Sequence, residues 1–156
     1  MAIEQVKEFF KKFNIEEKIM EFDKSSATVE LAAQALNVIP ARIVKTLSFK
    51  KDNSCILIVT AGDVKIDNPK FKAEFGMKAK MPSAEEVLAL TGHAAGGVCP
   101  FAVSDNIPVY LDISLKRFDT VFPACGSSNS AIELTCDELS RYSETENWVD
   151  VCKYFE

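Results

Sequence analysis

Residues Thr91 to Phe101, TGHAAGGVCPF, set two adjacent glycines ahead of a proline. Gly96 and Gly97 accept positive φ and let a ligand approach the backbone, while Pro100 fixes φ at the exit. Such a stretch, Gly96, Gly97 and Val98 above all, offers peptide N–H groups that no side chain shields. It suits a carbonyl oxygen, a ribose or a phosphate, and it equally suits an ordinary turn after a helix. The second chemical group is Lys45, which follows Ile43 and Val44 at the start of a stretch that reads as buried strand. A lysine entering a core either extends its stem to reach water or meets an anion. Thr46 points to the opposite face of such a strand and reads as support.

His93, the single histidine, is the only imidazole available as a general base, and no Ser/Asp constellation stands near it in sequence; the alternative is a polar loop residue. Cys99 and Cys125 sit inside candidate loops, but neither has a neighbouring base to generate thiolate, so they read as small buried hydrophobes. The five cysteines contain no C-x-x-C pair, which argues against a disulfide framework or a zinc site. Neither metal nor cofactor is implied.

The net charge of −5 disfavours a protein that wraps nucleic acid, yet residues 42–80 carry nine Lys/Arg against four acids. A basic segment in an acidic chain is compatible with a short anionic ligand, or with a solvated face, and not with a long DNA duplex. The longest apolar run, Cys55 to Val59, is a strand length, far below the roughly twenty residues of a membrane span. The N-terminus has no signal-peptide pattern, so a cytoplasmic location is expected.

These groups must be positioned by one domain covering residues 1–156. Ile3, Val6, Phe9, Phe10 and Phe13 predict an amphipathic helix over 3–13. Lys18 to Phe22 reads as a short strand. Thr28 caps a helix with Leu31, Ala32, Ala35 and Leu36 inward, ending near Asn37. Residues 44–49 and 55–60 form a hairpin around KKDNS, and Ala61-Gly62-Asp63 makes a turn. Pro69 opens a helix stopped by Gly76, and Ser83-x-x-Glu86 caps one that ends at Gly92. Strands follow at 107–111, 120–123, 132–134 and 149–155, with a helical turn at 114–118 and a capped helix from Thr135 to Tyr142. Short strands interleaved with short helices, without a βαβ rhythm, indicate an α+β domain with a mixed sheet.

Four stretches in order, AAQALNVIPARIVKTLSF (32–49), LIVTAGDVKID (57–67), TGHAAGGVCPF (91–101) and CGSSNSAIELT (125–135), resemble the YbaK/EbsC family, the free-standing relatives of the editing domain inserted in bacterial prolyl-tRNA synthetases. The resemblance implies a barrel-like mixed sheet with surrounding helices. It also implies hydrolysis of the ester joining a wrong amino acid to the tRNA 3′ end, Cys-tRNA(Pro) or a similar small amino acid ester. Lys45 matches the family lysine, which engages the phosphate or ribose of the terminal adenosine. Gly96 to Pro100 matches the loop whose amides hold the carbonyl, and Gly126, Ser127 and Ser128 match a second loop. Phe22 and Thr28 fall beside the aminoacyl pocket. An activated ester needs mainly positioning and oxyanion donors, so the absence of an obvious base is no obstacle.

Departures keep the amino acid open. The second loop reads Gly126-Ser127-Ser128-Asn129, without the histidine of alanine-specific relatives. Lys45-Thr46 is similar to the cysteine-specific branch, yet Ala124 and Ala131 stand where that branch has a hydroxyl and a carboxylate. Ala102 replaces a usual glycine. Alanine, serine or threonine esters remain alternatives, as does a non-catalytic module binding a nucleotide or aminoacyl-tRNA. The implied partners are the tRNA 3′ acceptor end and a prolyl-tRNA synthetase; no membrane is implied.

Overall fold

The computed structural model describes residues 2–25, 28–94, 98–104 and 106–155. Its central element is a hairpin of β2 (Val44–Lys51) and β3 (Ser54–Ala61), joined through the turn at Asp52, whose φ is 54°. From Cys55 to Ala61 every residue of β3 is buried, so this strand is covered on both faces. Beyond it, β5 (Val109–Asp112) and β7 (Trp148–Val149) run parallel to their neighbours, which gives a mixed sheet in the order β2-β3-β5-β7. Two ribbons flank it: β1 (Met20–Glu21) with β6 (Ser130–Ala131), and β4 (Val64–Ile66) with β8 (Cys152–Tyr154). The α+β class with a mixed sheet is as the sequence indicates.

Helices close the layers. α1 (Ala2–Lys11) buries Val6 and Phe10, whose ring meets Phe101 at 4.9 Å and Tyr142 at 5.5 Å. Tyr142 ends α5 (Cys136–Tyr142), which Thr135 and Glu138 open with both bonds of a capping box. On another side of the sheet α3 (Asn68–Phe75) lays Phe71 against Phe49 at 5.0 Å, and Phe75 meets Tyr110 at 4.9 Å. Asp67 caps α3 and Gly76 ends it in the left-handed region. α4 (Ala84–Thr91) has the Ser83/Glu86 capping box and stops at Gly92.

α2 (Val29–Leu36) starts at Thr28, whose hydroxyl accepts from Leu31 N, and ends at Asn37. Its inner face differs from expectation: Ala32 and Ala33 are buried, whereas Leu31 and Ala35 are exposed. At 100° per residue, 29, 32, 33 and 36 share one stripe, and that stripe faces the sheet. The strand expected at 18–22 shrinks to two residues behind a 3-10 turn at Glu16–Lys18. The strand expected at 149–155 is divided, because Val151 N donates to the buried Asp112 carboxylate and the chain leaves β5 there to pair with β4. Near 120–134 the pairing consists of single bridges, Ile43 with Phe122 and Val121 with Leu134, besides β6.

Candidate active site

β2 is an edge strand, and its outer edge builds the site. Val44 N donates outward to Phe122 O, and Lys50 N donates outward to Lys80 O, at 3.1 and 2.7 Å. Alternation in an antiparallel pair sends the N–H groups of Thr46 and Ser48 the same way. Among the described residues these two amides meet no partner. Chains at Phe122 and Lys80 therefore cover the two ends of the edge and leave its middle open.

That gap is the floor of a cleft of about 430 Å³. Val44, Thr46 and Ser48 share the strand face that lines it, Val29 and Ala32 of α2 and Val87 of α4 form walls, and Val98, Phe122, Ala124 and Ala131 complete it. Thr28 stands at the rim beside α2, and Met81 and Pro82 at the α4 side. The walls are mostly small and apolar. Ser48 is only 5% exposed, and among the described residues neither its hydroxyl nor that of Thr46 has a hydrogen-bond partner. A mostly apolar cavity with a few convergent donors is the usual form of a small-molecule site. Ser48 and Ser130, which also lines the cleft, were not legible from the sequence: nothing in the pattern marks which strand edge stays open.

Lys45 borders the cleft through the strand, but its ammonium is directed to the β4 side, where it donates to Val64 O and lies 5.1 Å from the Phe155 ring centre. Burial holds this ammonium below the ordinary lysine range, opposed by Cys152, Asp63 and Glu30. The Cys152 thiol is itself pushed up by burial, so near neutral pH the opposing anions are Asp63 and Glu30. Asp63 is already held by Arg117 through contacts of 2.6 and 3.0 Å. An ammonium has three donors, and the Val64 carbonyl uses one.

Thr28, Thr46 and Val98 thus meet at one cleft, whereas Lys45 borders it only through the strand and its ammonium lies on the other face; of the two neighbours it is Thr46, expected as support, that faces the cleft. Gly96 and Gly97 lie outside the described residues. Gly126, with φ of 93°, turns a loop in which Ser127 Oγ lies 2.9 Å from Asn129 Oδ1, to which it donates, and 2.7 Å from the hydroxyl of Ser130. Asn129 in turn clasps the Phe22 backbone through two 2.8–2.9 Å bonds. Phe22, Gly126, Ser127 and Ser128 therefore stand beside the cleft, behind Ser130, and do not line it. Pro100 lines a different groove, between α1 and Tyr142.

His93 is no polar loop residue. It is fully buried, 3.0 Å from Phe101 O through Nε2 and 3.8 Å from Cys99 Sγ, and it does not border the cleft. Burial lowers its pKa and the Phe101 carbonyl partly restores it. The Cys99 thiol is pushed up to about 12 by burial, and Cys125 is raised likewise, so neither supplies thiolate at neutral pH. The folded imidazole takes its proton at lower pH than the unfolded one. Stability contributed at His93 is therefore complete above the unfolded value of ~6.5 and lost as pH falls from there toward the folded pKa. As the chain has one histidine, its single set of imidazole NMR signals should titrate with a midpoint below 6.5.

Ala102 has φ of 56°, a left-handed conformation that costs an L-residue about 1–2 kcal/mol and glycine nothing. Ala102→Gly is expected to raise stability by about 0.5–1 kcal/mol after the loss from greater unfolded-chain freedom, some 1–4 °C in Tm by calorimetry.

An edge strand left open between two covering chains, with a lysine on the same strand, gives a small α+β domain with an open apolar cleft. The chain belongs to the aminoacyl-tRNA editing domain family, which matches residues 23–142 and so includes the whole cleft. It is 55% identical to the uncharacterized protein YwhH of Bacillus subtilis over the full length of both. It is 25% identical to EbsC of Enterococcus faecalis, a candidate Cys-tRNA(Pro)/Cys-tRNA(Cys) deacylase, over 72% of this chain and 70% of that one. The proline–tRNA ligase of Bacillus pumilus shares 31% identity over 57% of the chain, which spans only 16% of the ligase. Among solved structures, a candidate trans-editing enzyme for prolyl tRNA synthetase superposes with a TM-score of 0.86 at 27% identity, covering 97% of each chain.

Proposed function

We propose that the protein hydrolyses the ester of a small amino acid on the 3′ end of a misacylated tRNA, with Cys-tRNA(Pro) the foremost substrate. The observation that carries this reading is the apolar cleft at the open edge of β2, where Thr28, Thr46 and Val98 come together and which Lys45 borders from the other face of the strand. Water adds to the ester carbonyl, the oxyanion is held by peptide donors, and the bond to the ribose oxygen breaks to give free amino acid and a tRNA hydroxyl. Donors for the oxyanion come from the Gly96, Gly97 and Val98 stretch, together with the amides of Thr46 and Ser48. Lys45 neutralises the terminal phosphate. Phe22, Gly126, Ser127 and Ser128 act as supports of the cleft and its rim, and Pro100 fixes the exit of the stretch that follows Gly96 and Gly97.

The alanine walls, Ala32, Ala124 and Ala131, are apolar and suit a side chain without charge. A hydrophobic pocket separates groups that differ by one small substituent only weakly, so alanine, serine and threonine esters are the competing substrates. The test is release of amino acid from a panel of tRNAs charged with cysteine, alanine, serine, threonine and proline, with tRNA for proline as the reference body and with and without a prolyl-tRNA synthetase. Cysteine released fastest supports the reading. No release from any member, by a protein that still binds the tRNA end, makes it a binding module instead.

A further inference from the structure

The β4–β8 ribbon pairs Lys65 directly with Lys153, both exposed. Like charges directly opposite across two strands oppose pairing, and among the described residues neither lysine has an acidic partner. Period-two alternation puts Phe155 on the same face as Lys153. Phe155 is 58% exposed, and its ring centre lies 5.7 Å from the Lys65 ammonium and 5.1 Å from that of Lys45. The Phe155 ring thus has the Lys45 and Lys65 ammoniums against it, with Lys153 exposed on the same side of the strand. Among the described residues the carboxylates that act on Lys45 are Asp63, committed to Arg117, and Glu30.

We propose that this face binds the single-stranded RNA that leads into the cleft, with a base stacked on Phe155 and successive phosphates on Lys65 and Lys153. The proposal rests on the deacylase reading, because Lys45 is where the ribbon and the cleft meet. An aromatic platform with flanking cations is the general solution for single strands, which expose both a π-face and a phosphate at every nucleotide. Three cations at this face complement a few phosphates and are too few for a duplex body.

The test is anisotropy of a labelled single-stranded RNA ending in CCA, titrated with the protein over a range of salt. Phe155→Ala should weaken binding at least about fivefold with the salt slope unchanged, the loss expected for one stacked base. Lys65→Ala with Lys153→Ala should lower the slope of log affinity against log salt by about 1.4, at ~0.7 per phosphate on a single strand. With charged tRNA, KM should rise by more than kcat falls. All these positions are exposed, and unchanged circular dichroism verifies folding. Equal affinity in all variants, no binding by the wild type, or a hairpin duplex bound as tightly as the single strand would each overturn the proposal. The two readings separate: hydrolysis with KM unmoved in the variants sinks the ribbon alone, whereas variant-sensitive RNA binding without hydrolysis of any ester sinks the deacylase alone.

Discussion

Lys45→Ala is expected to reduce ester release by ~100-fold or more while the protein stays folded. Loss of one preorganised electrostatic contact in a water-poor site costs about that much. The structural role of the side chain is modest by comparison: it donates one bond to Val64 O from a half-buried position, and removing such a bond costs roughly 0.5–1.5 kcal/mol. Lys45→Met keeps the stem and should lose as much activity as alanine, which separates charge from packing. Lys45→Arg should recover only part, because the bulkier planar guanidinium presents its donors in a fixed fork that differs from the compact ammonium. A pH series adds a second check. Burial lowers the Lys45 pKa, so the wild-type affinity for a CCA-ended RNA should fall on the alkaline side before an ordinary lysine would deprotonate, below 10.5. Binding that holds through that range, or a fully active Lys45→Ala protein, would remove the lysine from the site.

The second large effect is on stability. Gly62→Ala should cost about 2–3 kcal/mol, or roughly 4–12 °C in Tm for a chain of this length. An added Cβ would stand 2.2 Å from Pro40 O and 3.0 Å from Ile43 O, both backbone, and 2.8 Å from Val29 Cγ1. Only displacement of the 3-10 turn Pro40–Arg42 would relieve this, and that turn leads straight into β2. The same substitution should therefore also shift Lys45 and the cleft edge and lower activity in the fraction that folds. Gly76→Ala is the comparison: no atom lies within 4 Å of its added Cβ, but φ is +69°, so the cost should be the smaller dihedral one, about 1 kcal/mol. Equal losses at the two glycines would show that contact with Pro40 is not what excludes a side chain at 62.

Local chemistry explains why much of the fold was readable. The boxes at Ser83/Glu86 and Thr135/Glu138, the Thr28 cap, and the stops at Asn37, Gly76 and Gly92 are interactions among residues at most four apart. Such signals survive in a sequence because their partners are sequence neighbours. The β2–β3 hairpin was equally plain, since two apolar runs flank a polar turn. Lys45 stood out for a related reason, a charge at the start of a run otherwise apolar.

By itself, then, the sequence determined the α+β class, the caps, the hairpin, and which residues carry charge or bare amides. Only the tertiary structure decided how these meet. That β2 is an edge strand, covered at 44 and 50 but open between, depends on Phe122 and Lys80, residues dozens of positions away. The burial of His93 depends on the carbonyl of Phe101 and the packing of α1 above it, so a residue polar by type became part of the core. The direction of the Lys45 ammonium, toward Val64 and Phe155, depends on a C-terminal strand that pairs with β4. Each is a contact between segments distant in sequence, whose formation is settled by burial and backbone pairing over the whole chain and leaves no mark in the local pattern of residues.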